Sequence, residues 1–400
     1  MRTVAVVGAS LAGLSAARAL RKRGYDGRLV VIGDEPHRPY DRPPLSKEFL
    51  AGALGEADLA LEGEDEDLGA EWVLANRATG LDRNERAIRL ADGREIRADG
   101  VVIATGAAPR TLPGAEGLAG VHVLRTLEDA RSLRDDLARG GRLVVIGGGF
   151  IGAEVASTAC GLGLDVTVVE AAPTPLAGSL GESMGAVVSA LHADHGVRLL
   201  CGVGVKGMSG GGRNALGVPP DRARGRVDAV LLDDGRSIPA DIVVVGVGAR
   251  PCVEWLEGSG VALDNGVKCG ADGRTSLAGV VAVGDCANWY DPRTGGRRRV
   301  EHWTGARERP DAAVAALLAH GASPPGVPRP AYFWSDQYGV KIQFVGDSGG
   351  ADSVTVEEGS TDERSFLAVY RRAGTPVAVL GLNQPRPFTR WRKRLTAAES

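Results

Sequence analysis

Four hundred residues, 44% of them hydrophobic and 58 of them glycine, are enough for two to three α/β domains rich in tight turns. The formal net charge of −3 gives no global case for nucleic acid or an anionic membrane as a partner. No apolar run approaches the roughly 18 residues that a membrane span needs, and the chain enters a strand at once, so neither a signal peptide nor a location outside the cytoplasm is expected.

The first predicted element is an apolar strand from Val4 that runs into Gly8, Ala9, Ser10, Leu11, Ala12 and Gly13 and then into an Ala/Leu-rich helix. Glycine there permits a tight turn and a close approach of backbone to a pyrophosphate. The helix N-terminus that follows offers N–H donors and a positive dipole end. Ser10 stands where the middle glycine usually sits, so this copy is the weaker match. A second strand from Leu29 leads to Asp34 and Glu35; a carboxylate about 20 residues beyond the glycines accepts hydrogen bonds from an adenosine ribose. LADGREIRADGVVIATG, from Leu90, then reads as a hairpin with an Asp-Gly turn and an apolar strand closing on Thr105 and Gly106.

The series now repeats. LVVIGGGFIGAEVA, from Leu143, contains Gly147, Gly149, Phe150, Ile151 and Gly152; DVTVVE ends at Glu170; LDDGRSIPADIVVVGVG, from Leu232, closes on Gly248. Gly8 and Gly147 lie 139 residues apart, Gly93 and Gly235 142. A strand-to-helix turn alone can select glycine, so a single fingerprint decides little; two copies with matching hairpins imply two duplicated, doubly wound dinucleotide-binding domains, each interrupted by a three-stranded β excursion. Glu170 repels a 2′-phosphate and is followed by Ala171, Ala172 and Pro173 rather than arginine, which predicts NADH over NADPH.

TSLAGVVAVGDCAN, from Thr275, adds a strand ending in Gly284 and Asp285. A strand-Gly-Asp element is the usual second FAD signature. It predicts a discontinuous FAD-binding domain over 1–112 and 240–318, with an NADH-binding domain over 113–239 inserted in it. Residues 319–400 form a third unit, predicted as an antiparallel sheet from the alternation in VKIQFVG, DSVTVEE, SFLAVYRR and PVAVLGL. Basic residues cluster at 297–299 and at Arg390, Arg392, Lys393 and Arg394. They read equally as solvated charge on a loop and a fraying terminus or as a dock for an acidic protein. The five cysteines, at 160, 201, 252, 269 and 286, form neither C-x-x-C nor C-x4-C. A redox-active disulfide, a metal site and an iron–sulfur cluster within this chain are not expected.

Five strings carry a wider likeness: PYDRPPLSK (39–47), ATGAAPR (104–110), LRTLEDA (124–130), EHW (301–303) and FWSDQYGVKIQFVG (333–346). Jointly with the two fingerprints, the chain resembles the FAD- and NADH-dependent ferredoxin reductases of bacterial oxygenase systems over nearly its whole length. The resemblance implies an α/β fold, with two doubly wound domains of glutathione-reductase type and a C-terminal α+β interface domain. It implies that Lys47 sits near the reactive edge of the isoalloxazine, paired with Glu154. Arg42 is implied to meet FAD phosphate or the strand-end acids, Arg125 the FAD adenosine or phosphate region, and Ala78 the adenine through its backbone. Glu301, His302 and Trp303 are implied to close over the flavin, with Trp303 at the electron exit. His302 is expected to position rather than to transfer a proton, because hydride transfer to flavin N5 needs no general base.

The implied reaction passes a hydride from NADH to FAD, then single electrons to a separate 2Fe–2S ferredoxin that serves a cytochrome P450 or a Rieske oxygenase. A monomer or weak homodimer is expected. An NADH oxidase or diaphorase using oxygen or a small acceptor is the alternative, and a nonenzymatic redox sensor the third reading. Three departures stand out: Gly178 where arginine is usual, Arg309 in place of glutamine, and a long Gly/Arg-rich stretch over 202–226.

Overall fold

Strands made only of apolar residues require cover on both faces, and Val4–Val7, Leu29–Ile32 and Val101–Ile103 are all buried. In the computed structural model, which describes residues 1–115, 117–210, 225–292, 295–319 and 329–397, these runs lie side by side. They form a five-stranded parallel sheet in the order Val280–Ala282, Gly100–Ile103, Thr3–Val7, Arg28–Ile32, Ala70–Val73. Helix α1 (Leu11–Lys22) turns Ala12, Ala16, Ala17 and Ala19 inward, so that it approaches the sheet and helix α5 (Trp303–Leu318) closely.

The inserted unit repeats this plan. Its parallel sheet runs Arg198–Cys201, Asp165–Glu170, Arg142–Ile146, Ile242–Val245, Val121–His122. Helix α2 (Leu127–Leu137) starts on a reciprocal cap between Thr126 and Asp129, and α3 (Phe150–Gly161) starts at the second glycine turn. Three-stranded antiparallel sheets over 78–97 and 205–239 are the two expected β excursions. Ala107–Pro109 pairs antiparallel with Ala249–Pro251, so the chain enters and leaves the inserted unit side by side.

The C-terminal unit is a five-stranded antiparallel sheet in the order Tyr332–Gln337, Val340–Gly346, Thr375–Leu382, Ser365–Arg372, Ser353–Ser360. One face buries Ile342, Phe344, Phe366 and Leu380 against Leu180, Met184, Val188 and Leu191 of helix α4 (Ala177–Asp194). The other buries Val345, Leu367, Val369 and Val379 against Phe388 and Leu395 of helix α6 (Pro385–Ala397). At roughly 1.5–3 kcal/mol per buried large side chain, the α4 stripe joins the second and third units into one core. Where Gly181 breaks α4 (φ 74°, ψ 163°), Tyr370 donates to the Leu180 carbonyl at 2.7 Å and Ser348 to that of Ser179 at 2.8 Å.

Two features differ from the expectation. Strand Tyr332–Gln337 joins the four predicted ones, and residues 385–397, whose basic cluster read as a fraying terminus or a dock, form a helix. Phe388, Trp391 and Leu395 supply its i, i+3, i+7 stripe, which the surrounding arginines obscure. Most of the Gly/Arg-rich stretch (211–224) lies outside the described residues, as does 320–328. No described helix is long and apolar enough to cross a membrane.

The tip of hairpin 332–346 enters the gap between α3 and α4. There Tyr338 hydrogen-bonds His192 Nδ1 through its hydroxyl at 2.7 Å, stacks on His195 at 4.5 Å, and donates its N–H to Ser157 Oγ at 2.7 Å. His192 is 2% exposed, and burial lowers its pKa from 6.5 to about 4. Between those values the unfolded chain binds a proton that the folded chain does not, so stability falls as pH drops through this window. Urea unfolding at pH 7 and pH 5 should show that His192→Asn removes about 1–2 kcal/mol of the acid-induced loss; an unchanged loss places its origin elsewhere.

Candidate active site

Both glycine turns are held open by the same contact. A methyl group on Gly8 (φ +123°) would sit 2.0 Å from the Ala104 carbonyl oxygen, and one on Gly147 (φ +103°) 2.3 Å from that of Gly246. Only glycine lets the turn press so close to the neighbouring strand end. Neither α1 nor α3 carries a side-chain cap or an acid in its first turn, so both N-termini offer free donors to an anion. At the first turn, Gly284 approaches the Ala12 side chain and brings Asp285 alongside. Gly8, Ser10, Leu11, Ala12, Gly13, Thr105, Gly106 and Asp285 are thereby gathered from three distant segments.

Charge is arranged around this turn. Arg42 pairs with Glu35 at 2.5 Å and donates to Ser10 Oγ at 3.3 Å and to the Arg125 carbonyl. Tyr40 donates to Glu35 at 2.5 Å and accepts the Leu127 N–H at 3.0 Å. Arg125 pairs with Asp285 at 2.9 Å. Of the two strand-end acids, Glu35 therefore joins the cluster, while Asp34 faces solvent and pairs with Arg77, next to Ala78. Arg299 Nε and His302 Nδ1 are buried without a hydrogen-bond partner. Such orphans in a cleft rimmed by Arg42 and Arg125 fit a large, polar, diphosphate-bearing group such as FAD. Burial and the Arg298 charge lower the His302 pKa to about 4, so its ring is neutral near pH 7.

One stripe of α3 makes the contacts between units. Phe150, Glu154, Ser157 and Thr158 stand at i, i+4, i+7 and i+8, a single helical face. Phe150 packs on Phe333 at 4.6 Å, and Phe333 on His302 at 4.9 Å. Glu154 pairs with Lys47 at 2.9 Å, accepts from Ser46 at 2.5 Å and accepts from Ser335 at 2.7 Å. Thr158 donates to the Ser46 carbonyl at 2.8 Å. Trp303 donates to Asp41 at 2.8 Å and meets Trp334 edge-on at 5.7 Å, and Trp334 stacks on Tyr332 at 6.1 Å.

At the second turn, Glu170 accepts the N–H of Gly148 at 2.7 Å and that of Ala172 at 2.7 Å, which fixes the carboxylate beside Gly147, Gly149 and Gly152. Ile151 is 49% exposed at the start of α3, and the Gly248 carbonyl accepts the Arg110 N–H at 2.9 Å. Glu301 is exposed and pairs with Arg299; Arg309 lies over the Trp289 ring at 5.1 Å; Gly178 has open space around it in the first turn of α4. The arginines at 297–299 are engaged within the protein, Arg297 with the Cys269 carbonyl, Arg298 with Asp347 at 2.8 Å and Arg299 with the Asp285 carbonyl at 3.2 Å. All five cysteines are free, and burial pushes the Cys286 thiol up to about 11. Asp41, Ser46, Phe333, Ser335 and Gln337 were not singled out from sequence. Their signal was membership in the strings PYDRPPLSK and FWSDQY.

Comparison with known proteins places the chain among relatives of known family. Residues 2–310 match the family described as pyridine nucleotide-disulphide oxidoreductase, and residues 332–400 match reductase C-terminal. The chain is similar to the ferredoxin reductase component of the chlorobenzene dioxygenase of Cupriavidus sp. (strain PS12), 39% identical over 96% of this chain and 90% of that one. It is 37% identical to the ferredoxin–NAD(+) reductase subunit of the benzene 1,2-dioxygenase system of Pseudomonas putida, with the same coverage. The crystal structure of the covalent putidaredoxin reductase–putidaredoxin complex contains a chain that superposes with a TM-score of 0.91 at 33% identity, covering 99% of this chain and 93% of that one.

Glu170→Ala frees the Gly148 and Ala172 amides and removes the acceptor expected at the ribose. Steady-state assays should show a higher KM for NADH and a narrowed preference over NADPH; a wild-type enzyme that already favours NADPH contradicts the role given to Glu170.

Proposed function

Because this chain belongs to the pyridine nucleotide-disulphide oxidoreductase family and carries that family's reductase C-terminal domain, we propose that it is an NADH-dependent ferredoxin reductase, with FAD on the first glycine turn and NADH on the second. The supporting observation is the Lys47–Glu154 pair, placed where the two dinucleotide units and the C-terminal sheet meet. FAD, when bound, accepts a hydride and releases electrons singly. The protein's part is to bind, orient and exclude water. Residues 1–112 and 240–318 hold FAD through the α1 turn, Arg42, Arg125 and Asp285. Residues 113–239 hold NADH through the α3 turn and Glu170. Lys47 supplies a fixed positive charge at the junction, and Glu154 keeps that charge from being buried alone. His302, neutral and sealed in by Phe333, shapes the cleft without moving a proton.

The electron exit follows the aromatic run from Trp303 through Trp334 to Tyr332, whose ring lies under Arg392 at 4.1 Å. Arg392 belongs to α6, and Arg386, Arg390 and Lys393 are exposed on that helix at i, i+4 and i+7. A basic helix beside the end of this run suits an acidic 2Fe–2S ferredoxin serving a cytochrome P450 or a Rieske oxygenase.

Anaerobic stopped-flow tests the reading directly. Mixing with NADH should bleach the flavin, and a second mix with a 2Fe–2S ferredoxin should restore it in step with cluster reduction; recovery only with oxygen, across a panel of ferredoxins, makes the protein an oxidase. Reversing charge on α6 (Arg386→Glu with Lys393→Glu) should raise the KM for ferredoxin about tenfold at low ionic strength, less at high salt. The NADH half-reaction should not change, and an unaltered ferredoxin KM moves the docking site elsewhere.

A further inference from the structure

Glu154 is 4% exposed, yet its two oxygens are served by different parts of the chain. Ser46 and Lys47 reach Oε2, at 2.5 and 2.9 Å, and among the described residues Ser335 alone reaches Oε1, at 2.7 Å. Ser335 is fully buried and Gln337 is 1% exposed. Gln337 Nε2 donates to Ser335 Oγ at 3.0 Å. A hydroxyl carries one proton; with its oxygen already accepting from Gln337, Ser335 directs that proton to Glu154. The strand that carries both residues is anchored at each end, by Phe333 against Phe150 and His302 and by Tyr338 between α3 and α4.

Residues on this strand alternate in facing. Phe333, Ser335 and Gln337 share one face, from which Phe333 meets Phe150 and Ser335 meets Glu154, while Trp334 packs on Trp303 and Tyr332, and Asp336 faces Lys341 at 3.5 Å. Among the described residues, the C-terminal unit reaches the carboxylate through Ser335. Without the Ser335 hydroxyl, Glu154 keeps donors on one oxygen only, its carboxylate is free to turn, and the Lys47 ammonium loses a fixed counter-charge.

We propose that Ser335, backed by Gln337, is a positioning residue for hydride transfer: it holds Oε1 of Glu154 so that Oε2 stays turned to Lys47. This rests on the reading of Lys47 as part of the hydride site. The test uses the FAD-loaded enzyme and compares Ser335→Ala, Ser335→Thr, Lys47→Ala and the Ser335→Ala/Lys47→Ala double variant. Two quantities are read: the limiting rate constant and dissociation constant for anaerobic reduction by NADH, and the flavin midpoint potential by spectroelectrochemistry. Ser335→Ala should slow the limiting rate roughly 5–20-fold, near or below the low end of what loss of a hydrogen bond to a charged group gives, because Ser46 and Lys47 still hold the other oxygen. Its NADH dissociation constant should stay within about twofold of wild type, because the glycine turn and Glu170 are untouched.

The potential should move negative, as in Lys47→Ala but less, since a displaced cation stabilises reduced flavin less. Ser335→Thr, which keeps the hydroxyl, should recover most of the rate. In the Lys47→Ala background, Ser335→Ala should slow nothing further, because both act through one pair. An unchanged rate in Ser335→Ala, equal slowing on top of Lys47→Ala, or no recovery in a flavin-loaded Ser335→Thr overturns the positioning role. If Ser335→Ala does not retain FAD, Gln337→Met, which leaves the Ser335 proton free to turn away, should show a smaller slowing in the same direction, and none overturns it. An unaltered rate and potential in Lys47→Ala overturns the hydride-site reading itself, whereas a slow Lys47→Ala beside a normal Ser335→Ala removes only the role of Ser335.

Discussion

A buried carboxylate with three donors holds the centre of this molecule. Glu154 comes from the inserted unit, Ser46 and Lys47 from a loop of the first, and Ser335 from the C-terminal sheet. Burying such a charge is costly, and the Lys47 ammonium together with the two serine hydroxyls offsets that cost. The first, inserted and C-terminal units are thereby tied together at one side chain. The same α3 stripe extends the junction through Phe150, Ser157 and Thr158, so one helix face sets the geometry of the cleft.

The rest of the architecture serves this junction. Strand Tyr332–Gln337 forms one wall, and it is placed by a core that the C-terminal sheet shares with α4. The sheet cannot be displaced without exposing Leu180, Val188 and Leu191, and the turn at Tyr338 locks the hairpin tip between α3 and α4. Hydride chemistry tolerates little looseness, since sub-ångström changes in approach alter rates strongly. A wall built from the packed core of two units supplies that stiffness better than a surface loop does.

Much of this was legible in the chain. The alternation of apolar strands and helices, the two glycine turns and the matching Asp-Gly hairpins fixed a duplicated doubly wound fold, because each rests on local sterics and periodicity. Glu35 and Arg42 also pair as one of the expected arrangements. Helix α6 was not legible: five basic residues hide the stripe of Phe388, Trp391 and Leu395, and the helix is defined by the sheet it covers. The arginines at 297–299 were legible only as charge, not by their partners. They read equally as solvated charge and as a dock; Arg297 and Arg298 are exposed, and the three also donate to Cys269, Asp347 and Asp285.

What sequence determined here is whatever depends on near neighbours: turns that only glycine can make at Gly8 and Gly147, strands whose apolar runs demand cover, and a carboxylate at Glu170 one strand past its turn. What only the tertiary structure decided is which distant groups share a space. Ser335 lies 181 residues from Glu154, and nothing local to a serine in FWSDQY says which carboxylate its proton meets. Asp41 meets Trp303 across 262 residues for the same reason. Such partners follow from the packing of sheets and helices, where side-chain direction is set by pleat and helical phase and the meeting point by the whole core.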